Sequence, residues 1–414
     1  MDNAVTAMYY FFEMKQGWAF VCAVALILAS CASSVGATTC ETQTEKPDVS
    51  DLVAQGKLLL GQRKPDQAWD VFSRVVELRN DLPDGHLGMY LADEIVFTDM
   101  LRDLIEYYIA MFNDLFGSRG AKGHGKVAGS IIQEMIEEYY RPLLVEMTDE
   151  LDEIEGEFSF YLPSYPLLVY HRRLVCDLGG EWDQSDVLIM RGAARWWLGL
   201  ADLLLSYDLD FDMGHLLDIE LLPDADIKEI LLAYIDALLA MLNDPDYPNF
   251  LYLTDDGFER LPQAGVEFGR GLLEIVQGIA SLQRETDPQQ DDIFGYMDEN
   301  GNGRWDAGEP HVYPYIGRIS VDQQEFEWLV INAVELIARS TLDGTEYDPS
   351  PETEDRFPLA ALNPILESFG LPPIFPEGLT LDLGEFYRNP SREKLHDTVE
   401  FVLTLLKELL ENLP

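Results

Sequence analysis

Apolar residues recur at intervals of three and four along most of the chain, with charged and polar residues at the intervening positions. This spacing places the apolar side chains on one face of an α-helix, so each such stretch is predicted to be an amphipathic helix. The stretches that show the pattern most clearly are 52–60, 68–78, 101–116, 127–151, 187–205, 227–242, 264–282, 326–337 and 394–410. The sequence therefore predicts an all-α, multi-helical fold.

The stretch at 230–242 is apolar on nearly every side apart from Asp236. A helix that is apolar all round is usually buried, so this one is predicted to be the central helix of a core. Irregular segments lie between the helices. Among them, 158–162 alternates in a way that is typical of a short strand. With 47% hydrophobic residues, the chain has enough apolar material for one large core or two smaller ones.

Small and aromatic residues near the start of the helical region stand where two antiparallel helices must approach closely. They are Gly56, Ala68 and Phe72, and the turn between the helices is Arg63-Lys64-Pro65-Asp66. This pattern resembles a tetratricopeptide repeat (TPR). The resemblance implies protein binding through a concave helical surface. The alternative is a hairpin that only caps the domain behind it.

Residues 84–98 and 101–116 resemble a degenerate second pair of repeat helices. The resemblance therefore implies TPR-like helical hairpins over 50–116. They are predicted to lead into an irregular helical domain at 117–414.

A run of acidic, amide and glycine residues at 298–309 has the ligand spacing of a calcium-binding loop. It reads Asp-Glu-Asn-Gly-Asn-Gly-Arg-Trp-Asp-Ala-Gly-Glu and resembles the loop of an EF-hand. In that family five side chains and the backbone carbonyl at position 7 bind the ion, and Gly303 allows the sharp turn. The calcium ligands implied by the resemblance are Asp298, Asn300, Asn302, Arg304, Asp306 and Glu309.

The residues around this loop differ from those of a helix-loop-helix hand. Pro310 directly follows Glu309, which disfavours a regular exiting helix, and Trp305 stands where a paired hand usually has a β-branched residue. These departures favour a single structural calcium clip over a sensor that opens a groove. The alternative is an acidic turn that binds no ion.

An apolar run at 18–30 is too short to span a bilayer permanently but has the length of a signal-peptide core. It ends in Leu28-Ala29-Ser30-Cys31, which resembles the lipobox of bacterial lipoproteins. The resemblance implies that residues 1–30 are removed as a signal peptide and that Cys31 is lipidated. The alternative is an ordinary cleaved signal peptide in which Cys31 is incidental.

Residues 31–49 are small and polar and lack periodicity, so they are predicted to form a flexible tether. Ala32, rather than an aspartate, follows the cysteine, and in bacterial lipoproteins this implies sorting to the outer membrane. A disulfide between Cys40 and Cys176 is permitted in an oxidising periplasm. Two unpaired cysteines are the alternative.

The chain is strongly acidic, with a formal net charge of -47. A negative field of this strength argues against binding to nucleic acid or to anionic lipid head groups. The acids are spread along the chain, which is typical of a solvated acidic surface that attracts divalent cations. We therefore expect no nucleic-acid partner, and we expect membrane contact through the lipid.

Catalytic patterns in the sequence are incomplete, and no catalytic residue is predicted. The Walker-like spacing at 120–126 is followed by Val127, where a Ser or Thr would bind magnesium, and the six histidines are not at zinc-ligand spacing. Paired carboxylates carry no signal in a chain with 75 acids. Trp182, Trp196 and Trp197 could form a sugar platform, but tryptophans at helical spacing are more typical of a core.

The predicted function is that of a calcium-binding lipoprotein of the outer membrane, on its periplasmic face or at the cell surface. It would act as an interaction or assembly scaffold for other envelope proteins. One alternative is an envelope hydrolase, acting on glycans, in which calcium is structural. Another is an acidic cation-binding surface protein. A non-enzymatic role is favoured, and the sequence predicts no oligomeric state.

Overall fold

The computed structural model describes residues 48–117, 126–127, 129–156, 158–170, 173–176, 178–212, 214–217, 219, 227–282, 295–296, 311–312, 333–349, 356–363, 373 and 375–412. The chain is mostly helical, at 69%, which confirms the predicted all-α character. Short two-stranded antiparallel ribbons lie between the helices. Within these ranges, no helix combines the length and the apolar character that a membrane span needs.

The N-terminal part consists of helices α1 (Ser50–Gly61), α2 (Pro65–Leu78) and α3 (Pro83–Gly117). Prolines begin α2 and α3, because the first turn of a helix has no use for the missing N–H. No proline or glycine lies between Gly88 and the terminal Gly117 of α3, so the helix continues without a break. The second hairpin predicted from 84–98 and 101–116 is therefore wrong, since both stretches belong to one helix.

Two glycines allow these three helices to pack closely around Phe72 of α2. A Cβ atom at Gly56 of α1 would lie 2.5 Å from the Phe72 ring, and one at Gly88 of α3 would lie 2.3 Å from it. Phe72 is fully buried, and its ring centroid lies 6.2 Å from that of Phe160. The ring therefore joins α1, α2 and α3 to the residues that follow them.

The single helix predicted at 127–151 is divided in the structure. Strand β1 (Lys126–Val127) is followed by α4 (Gly129–Met135), a π-helical turn at Ile136–Tyr140, and α5 (Arg141–Asp152). Pro142 explains the π turn, because its ring has no N–H and would clash with the carbonyl four residues earlier in a regular α-helix.

Four short strands follow: β2 (Phe160–Leu162), β3 (Leu168–Tyr170), β4 (Arg173–Cys176) and β5 (Gly180–Trp182). β2 pairs with β5, and β3 pairs with β4. The β3·β4 ribbon therefore lies in the segment that connects the two strands of the β2·β5 ribbon. Phe160 and Leu162 are buried and Tyr161 is exposed, which is the alternation of a half-buried strand. The strand predicted within 158–162 is confirmed.

The next elements are α6 (Gln184–Ser206), β6 (Phe211–Asp212), α7 (Gly214–Leu217), α8 (Ile227–Leu242) and α9 (Gly257–Leu282). A capping box begins α6: the Asp183 carboxylate accepts hydrogen bonds from the backbone N–H groups of Ser185 and Asp186, and the Asp186 carboxylate accepts one from the N–H of Asp183. This arrangement satisfies N–H groups that the helix itself leaves without partners.

Helices α6 and α9 approach each other through small residues. A Cβ atom at Gly192 of α6 would lie 2.5 Å from the carbonyl oxygen of Gly271 of α9, and the reciprocal distance is also 2.5 Å. Gly199 of α6 and Gly278 of α9 extend the same contact along the two helices in each direction. These glycines bring the two backbones into direct contact.

Buried ion pairs add a polar contact between α5, α6 and α9. Arg195 of α6 is 3% exposed at its side chain and lies 2.5 Å from Asp152, 2.8 Å from Glu267 and 3.2 Å from Glu274. Arg191, also on α6, lies 3.3 Å from Glu274. Each of these arginines is therefore paired with carboxylates, which reduces the free-energy cost of removing these charges from water.

The C-terminal part begins with β7 (Gly295–Tyr296), β8 (His311–Val312), α10 (Ala333–Leu342) and β9 (Phe357–Pro358). A 3₁₀ turn (Leu359–Leu362), β10 (Thr380–Leu381), α11 (Leu383–Arg388) and α12 (Lys394–Asn412) complete the described elements. α10 and α11 pack on α9, and α12 packs on α8.

The prediction that 230–242 forms the central helix of a core is wrong. Among residues 228–242 of α8, Ile235, Ala237, Met241 and Leu242 are buried, and most of the other apolar side chains are half-buried against α12 and α7. In the part of the chain that the structure describes, the largest buried cluster lies instead among α1, α2, α3, α5, the β2·β5 ribbon and α6.

Candidate functional site

The residues predicted from sequence to bind calcium or carry lipid lie outside the described residues. They are Asp298, Asn300, Asn302, Arg304, Asp306 and Glu309 for calcium, and Cys31 for lipid. The Walker-like run at 120–126 is described only at Lys126, on β1. Cys176 is half-buried on β4, and Cys40 lies outside the described residues, so the disulfide stays a prediction.

Two short segments that flank the predicted calcium loop, 295–296 and 311–312, are described, and they pair as β-strands. Gly295 lies opposite Val312 and Tyr296 lies opposite His311 in an antiparallel ribbon. The backbone on one side of 298–309 is therefore held beside the backbone on the other side. Within the described residues, the elements that flank the segment are strands rather than the two helices of an EF-hand.

A cleft lies between α2, α3 and α5, and most of its lining side chains are acidic. Its volume is about 310 Å³. The residues that line it, here called the acidic cleft, are Pro65, Asp66, Trp69 and Asp70 of α2, Asp93 and Val96 of α3, and Glu146 of α5. Helical spacing explains the set, because residues three and four apart share a helix face.

Asp93 is the most buried acid of the acidic cleft. Its side chain is 8% exposed, and its Oδ2 atom has no hydrogen-bond partner. Burial raises the pKa of Asp93 to about 7, and repulsion by Glu146 and Glu150 adds to the shift, while a hydrogen bond from Trp69 opposes it. Desolvation and repulsion also raise the pKa of Glu146 at the cleft wall.

Glu94, the next residue, points into the protein interior. Burial raises the pKa of Glu94 to about 8, although hydrogen bonds with Tyr165 and Tyr90 partly offset the effect. The Tyr165 hydroxyl donates to the carbonyl oxygen of Leu91 at 2.7 Å and lies 3.0 Å from Oε2 of Glu94. Because that hydroxyl has one proton, a protonated Glu94 would be the donor in the second contact.

Two basic groups on α1 and α3 are paired with acids that do not line the cleft. His86 of α3 lies 2.7 Å from Glu150, and this hydrogen bond raises the pKa of His86. Lys57 of α1 lies 3.8 Å from Asp84 and 3.8 Å from the centroid of the Phe160 ring. Among the described residues, no salt bridge reaches Asp66, Asp70, Asp93 or Glu146.

The tryptophans considered as a sugar platform belong to the packing of the interior. Trp182 is 2% exposed and meets Tyr165 edge-to-face at 5.7 Å. Trp197 packs against Phe97 at 5.8 Å and against Trp196 at 5.0 Å. Trp182 is therefore a core residue, and Trp196 and Trp197 are half-buried residues packed against other aromatic rings.

One group in the described part of the chain has the composition of a metal site. His396, Asp397 and Glu400 of α12 place candidate ligand atoms within 4.8 Å of one another. However, Nε2 of His396 lies 3.2 Å from the carbonyl oxygen of Leu242, and Glu400 accepts a hydrogen bond from Asn243. These contacts account for the group as packing between α8 and α12.

Sequence reasoning missed the acidic cleft, although a signal was present. Asp93 and Glu94 interrupt an otherwise apolar run from Leu91 to Phe97. Two acids in such a run are expected to be buried in part, and buried acids with shifted pKa values mark candidate sites. The contributions of α2 and α5 come from distant positions and had no comparable signal.

Comparison with protein-family models, curated proteins and solved structures finds no match for this chain. A functional proposal therefore depends on the residues and geometry described above.

Proposed function

We propose that this chain is a calcium-binding scaffold of a bacterial cell envelope, held at the outer membrane by lipid on Cys31. Calcium binds at 298–309 and orders that segment. The N-terminal helices provide a surface for other envelope proteins.

The observation that carries the proposal is the pairing of Gly295 with Val312 and of Tyr296 with His311. An EF-hand-type loop needs its first and last ligands close together around one ion. The ribbon brings together the backbone just outside Asp298 and Glu309, the first and last ligands of the predicted set.

The strand ribbon also supports a structural clip rather than a sensor. Sensor hands respond to calcium by changing the angle between two helices, which exposes an apolar groove. A hydrogen-bonded pair of strands has no such hinge. Calcium is therefore expected to order the loop without opening a groove.

The scaffold part of the proposal is supported by the packing of the N-terminal helices. Gly56 of α1 lies against the Phe72 ring of α2, and Ala68 of α2 is buried, which supports a close approach of the two helices. The lipid part is supported by Leu28-Ala29-Ser30-Cys31 at the end of the apolar run. Lipidation adds about 0.8 kcal/mol of membrane affinity for each buried CH₂ group, so several acyl chains would hold the chain firmly.

Isothermal titration of the full mature chain with calcium tests the calcium part of the proposal. We expect one site with a Kd of roughly 10⁻⁴ to 10⁻³ M, the range of extracellular modules. Glu309→Gln should weaken binding by roughly tenfold or more, because it removes the bidentate carboxylate and one negative charge.

The matched control is Glu377→Gln, which removes an exposed acid outside the loop. This change should leave the calcium affinity unaltered. Calcium binding is refuted if the wild type shows neither heat of binding nor a thermal shift at millimolar calcium. Equal weakening by both substitutions would assign the binding to the overall negative field of the chain.

A second candidate function is an envelope hydrolase that acts on glycans, and the acidic cleft is the observation that favours it. A carboxylic acid with a pKa near 7 beside a second carboxylate is an arrangement that glycosidases use. Asp93 and Glu146 have this relation, and Trp69 adds an aromatic wall. We rank this candidate second because a neutral sugar would leave the repulsion of Asp93 by Glu146 in place.

A further inference from the structure

We infer that the acidic cleft between α2, α3 and α5 binds an organic cation, an alkylammonium or guanidinium group the size of a lysine or arginine side chain. The group can belong to a basic residue of a partner or to a free polyamine. The inference is independent of the proposed function, because it uses neither Cys31 nor residues 298–309.

Asp93 lines the cleft, and one of its carboxylate oxygens, Oδ2, is closed to solvent and unpartnered. The residue is more than nine-tenths buried. Leaving a buried polar atom unpaired costs about 1 to 3 kcal/mol, and more for a charged one. A donor in the cleft would remove this cost once the Asp93 carboxylate turns toward it, so the site favours a ligand with N–H groups.

The charge of the cleft favours a cation among such ligands. Asp66, Asp70 and Glu146 line it together with Asp93, and no salt bridge to these acids is found among the described residues. Glu146 is exposed and Asp93 is buried, and the repulsion of Asp93 by Glu146 is not neutralised by a lysine or arginine in the described part of the chain. A cationic ligand would neutralise it, whereas a neutral ligand would not.

The aromatic wall of the cleft suits the same kind of ligand. Trp69 is half-buried, lines the cleft and hydrogen bonds to Asp93. Indole is the best of the aromatic side chains at attracting ammonium and guanidinium groups. The chain uses the same chemistry internally, since Lys57 lies 3.8 Å from the Phe160 ring centroid and 3.8 Å from Asp84.

The volume of the cleft favours an organic cation over a metal ion as the ligand. A volume of about 310 Å³ is at the lower end of the range of small-molecule sites and much larger than one ion. A bound metal ion would also require several carboxylates to converge within a few ångströms of one point. In the described residues, potential metal ligands come this close together at His396, Asp397 and Glu400, which do not line the cleft.

Binding is expected to release protons near neutral pH. Asp66 and Asp70 of α2, Glu146 and Glu150 of α5, and His86 paired with Glu150 are the titratable groups around Asp93. Burial and the neighbouring acids hold the pKa of Asp93 at about 7, so it is partly protonated at pH 7. A cation beside the carboxylate lowers that pKa, and the proton is lost as the ligand binds.

Titration calorimetry of the full chain tests the inference. The probes are agmatine, putrescine and a capped Gly-Lys-Gly tripeptide, with the matched Gly-Gln-Gly tripeptide and a neutral chitin-type trisaccharide as controls. We expect binding of the cationic probes only. Preference for the lysine peptide over putrescine would identify a partner's side chain as the source, and the opposite preference would identify a free polyamine.

Three substitutions test whether the cation binds in the acidic cleft. Trp69→Leu should weaken agmatine binding roughly threefold to thirtyfold, the range of a cation–π contact. Asp93→Asn should weaken it at least as much and abolish the buffer-dependent proton release at pH 7. This variant removes a buried charge, so it should fold at least as stably as the wild type. Asp51→Asn, an exposed acid on α1 outside the cleft, is the matched control and should leave affinity unchanged.

Three results would overturn the inference. One is the absence of heat with every cationic probe up to millimolar concentration. Another is equal weakening by Asp51→Asn and Asp93→Asn, which would assign the binding to the overall field of the chain. The third is binding of the neutral trisaccharide without the cations, which would support the hydrolase candidate instead.

Discussion

At the residue scale, the neighbouring acids Asp93 and Glu94 make stability depend on pH. The pKa of Glu94 is about 8 in the folded chain, against an ordinary value of 4.5, and that of Asp93 is about 7, against 3.8. Between the ordinary and the raised pKa of each group, the folded state binds more protons than the unfolded state. Stability from these groups is therefore full below about pH 4 and is lost as the pH rises to 8.

Glu94→Gln should flatten this pH dependence. Glutamine keeps the hydrogen-bonding capacity beside Tyr165 and Tyr90 but cannot ionise. We expect the wild type to lose roughly 2 to 4 kcal/mol more than the variant between pH 5 and pH 8. Denaturant unfolding at several pH values measures the difference.

The control for this prediction is Glu106→Gln, an exposed acid on the same helix α3. Its pH profile should follow that of the wild type. A Glu94→Gln profile parallel to that of the wild type would show that Glu94 is charged or solvated in the folded chain, and the burial of a neutral Glu94 would then be wrong.

The chemistry of these residues was only partly predictable. The acid pair within an apolar run could be recognised from the sequence, because such a run is normally buried. The side chains that interact with these acids and shift their pKa values come from other elements. They are Tyr165 for Glu94, and Trp69 and Glu146 for Asp93. Sequence spacing contains no information about which distant side chains meet.

At the element scale, the contact between α6 and α9 depends on the absence of side chains at a few positions. Gly271→Ala should destabilise the chain. The new Cβ would lie 2.5 Å from the carbonyl oxygen of Gly192 and 2.7 Å from the backbone N of Trp196, and neither atom can move without shifting a helix. We expect a loss of roughly 1 to 3 kcal/mol, measured as a lower denaturation midpoint.

Alanine has a higher helix propensity than glycine by about 1 kcal/mol, so propensity alone predicts the opposite sign. Gln277→Ala, at an exposed position of α9, is the control and should change stability little. A Gly271→Ala variant as stable as the wild type would mean that α6 and α9 are not in backbone contact.

Helices were predictable where apolar periodicity was clear, and their interruptions and packing were less so. The stretches at 187–205 and 394–410 correspond to α6 and α12. The π turn before Pro142 follows from the proline but was not anticipated from periodicity. The apolar character of α8 suggested a central helix, yet its position beside α12 depends on contacts that its own sequence does not specify.

At the scale of the whole molecule, contacts between distant parts of the sequence join the N-terminal helices to the rest. Arg63, after α1, donates hydrogen bonds to the carbonyl oxygens of Pro166 and Leu167 at 3.0 Å each and pairs with Asp99 at 2.8 Å. α3 also packs on α5. A protein-binding surface on these helices would therefore be held in a fixed relation to the large core.

The proposed role as a lipid-bearing, calcium-binding scaffold is tested most directly by native mass spectrometry. The protein would be extracted from its own membrane in mild detergent. We predict a mass that begins at Cys31 with acyl chains attached, one bound calcium that is absent in Glu309→Gln, and a further copurified protein subunit. An unmodified, calcium-free chain without a bound partner would contradict that role.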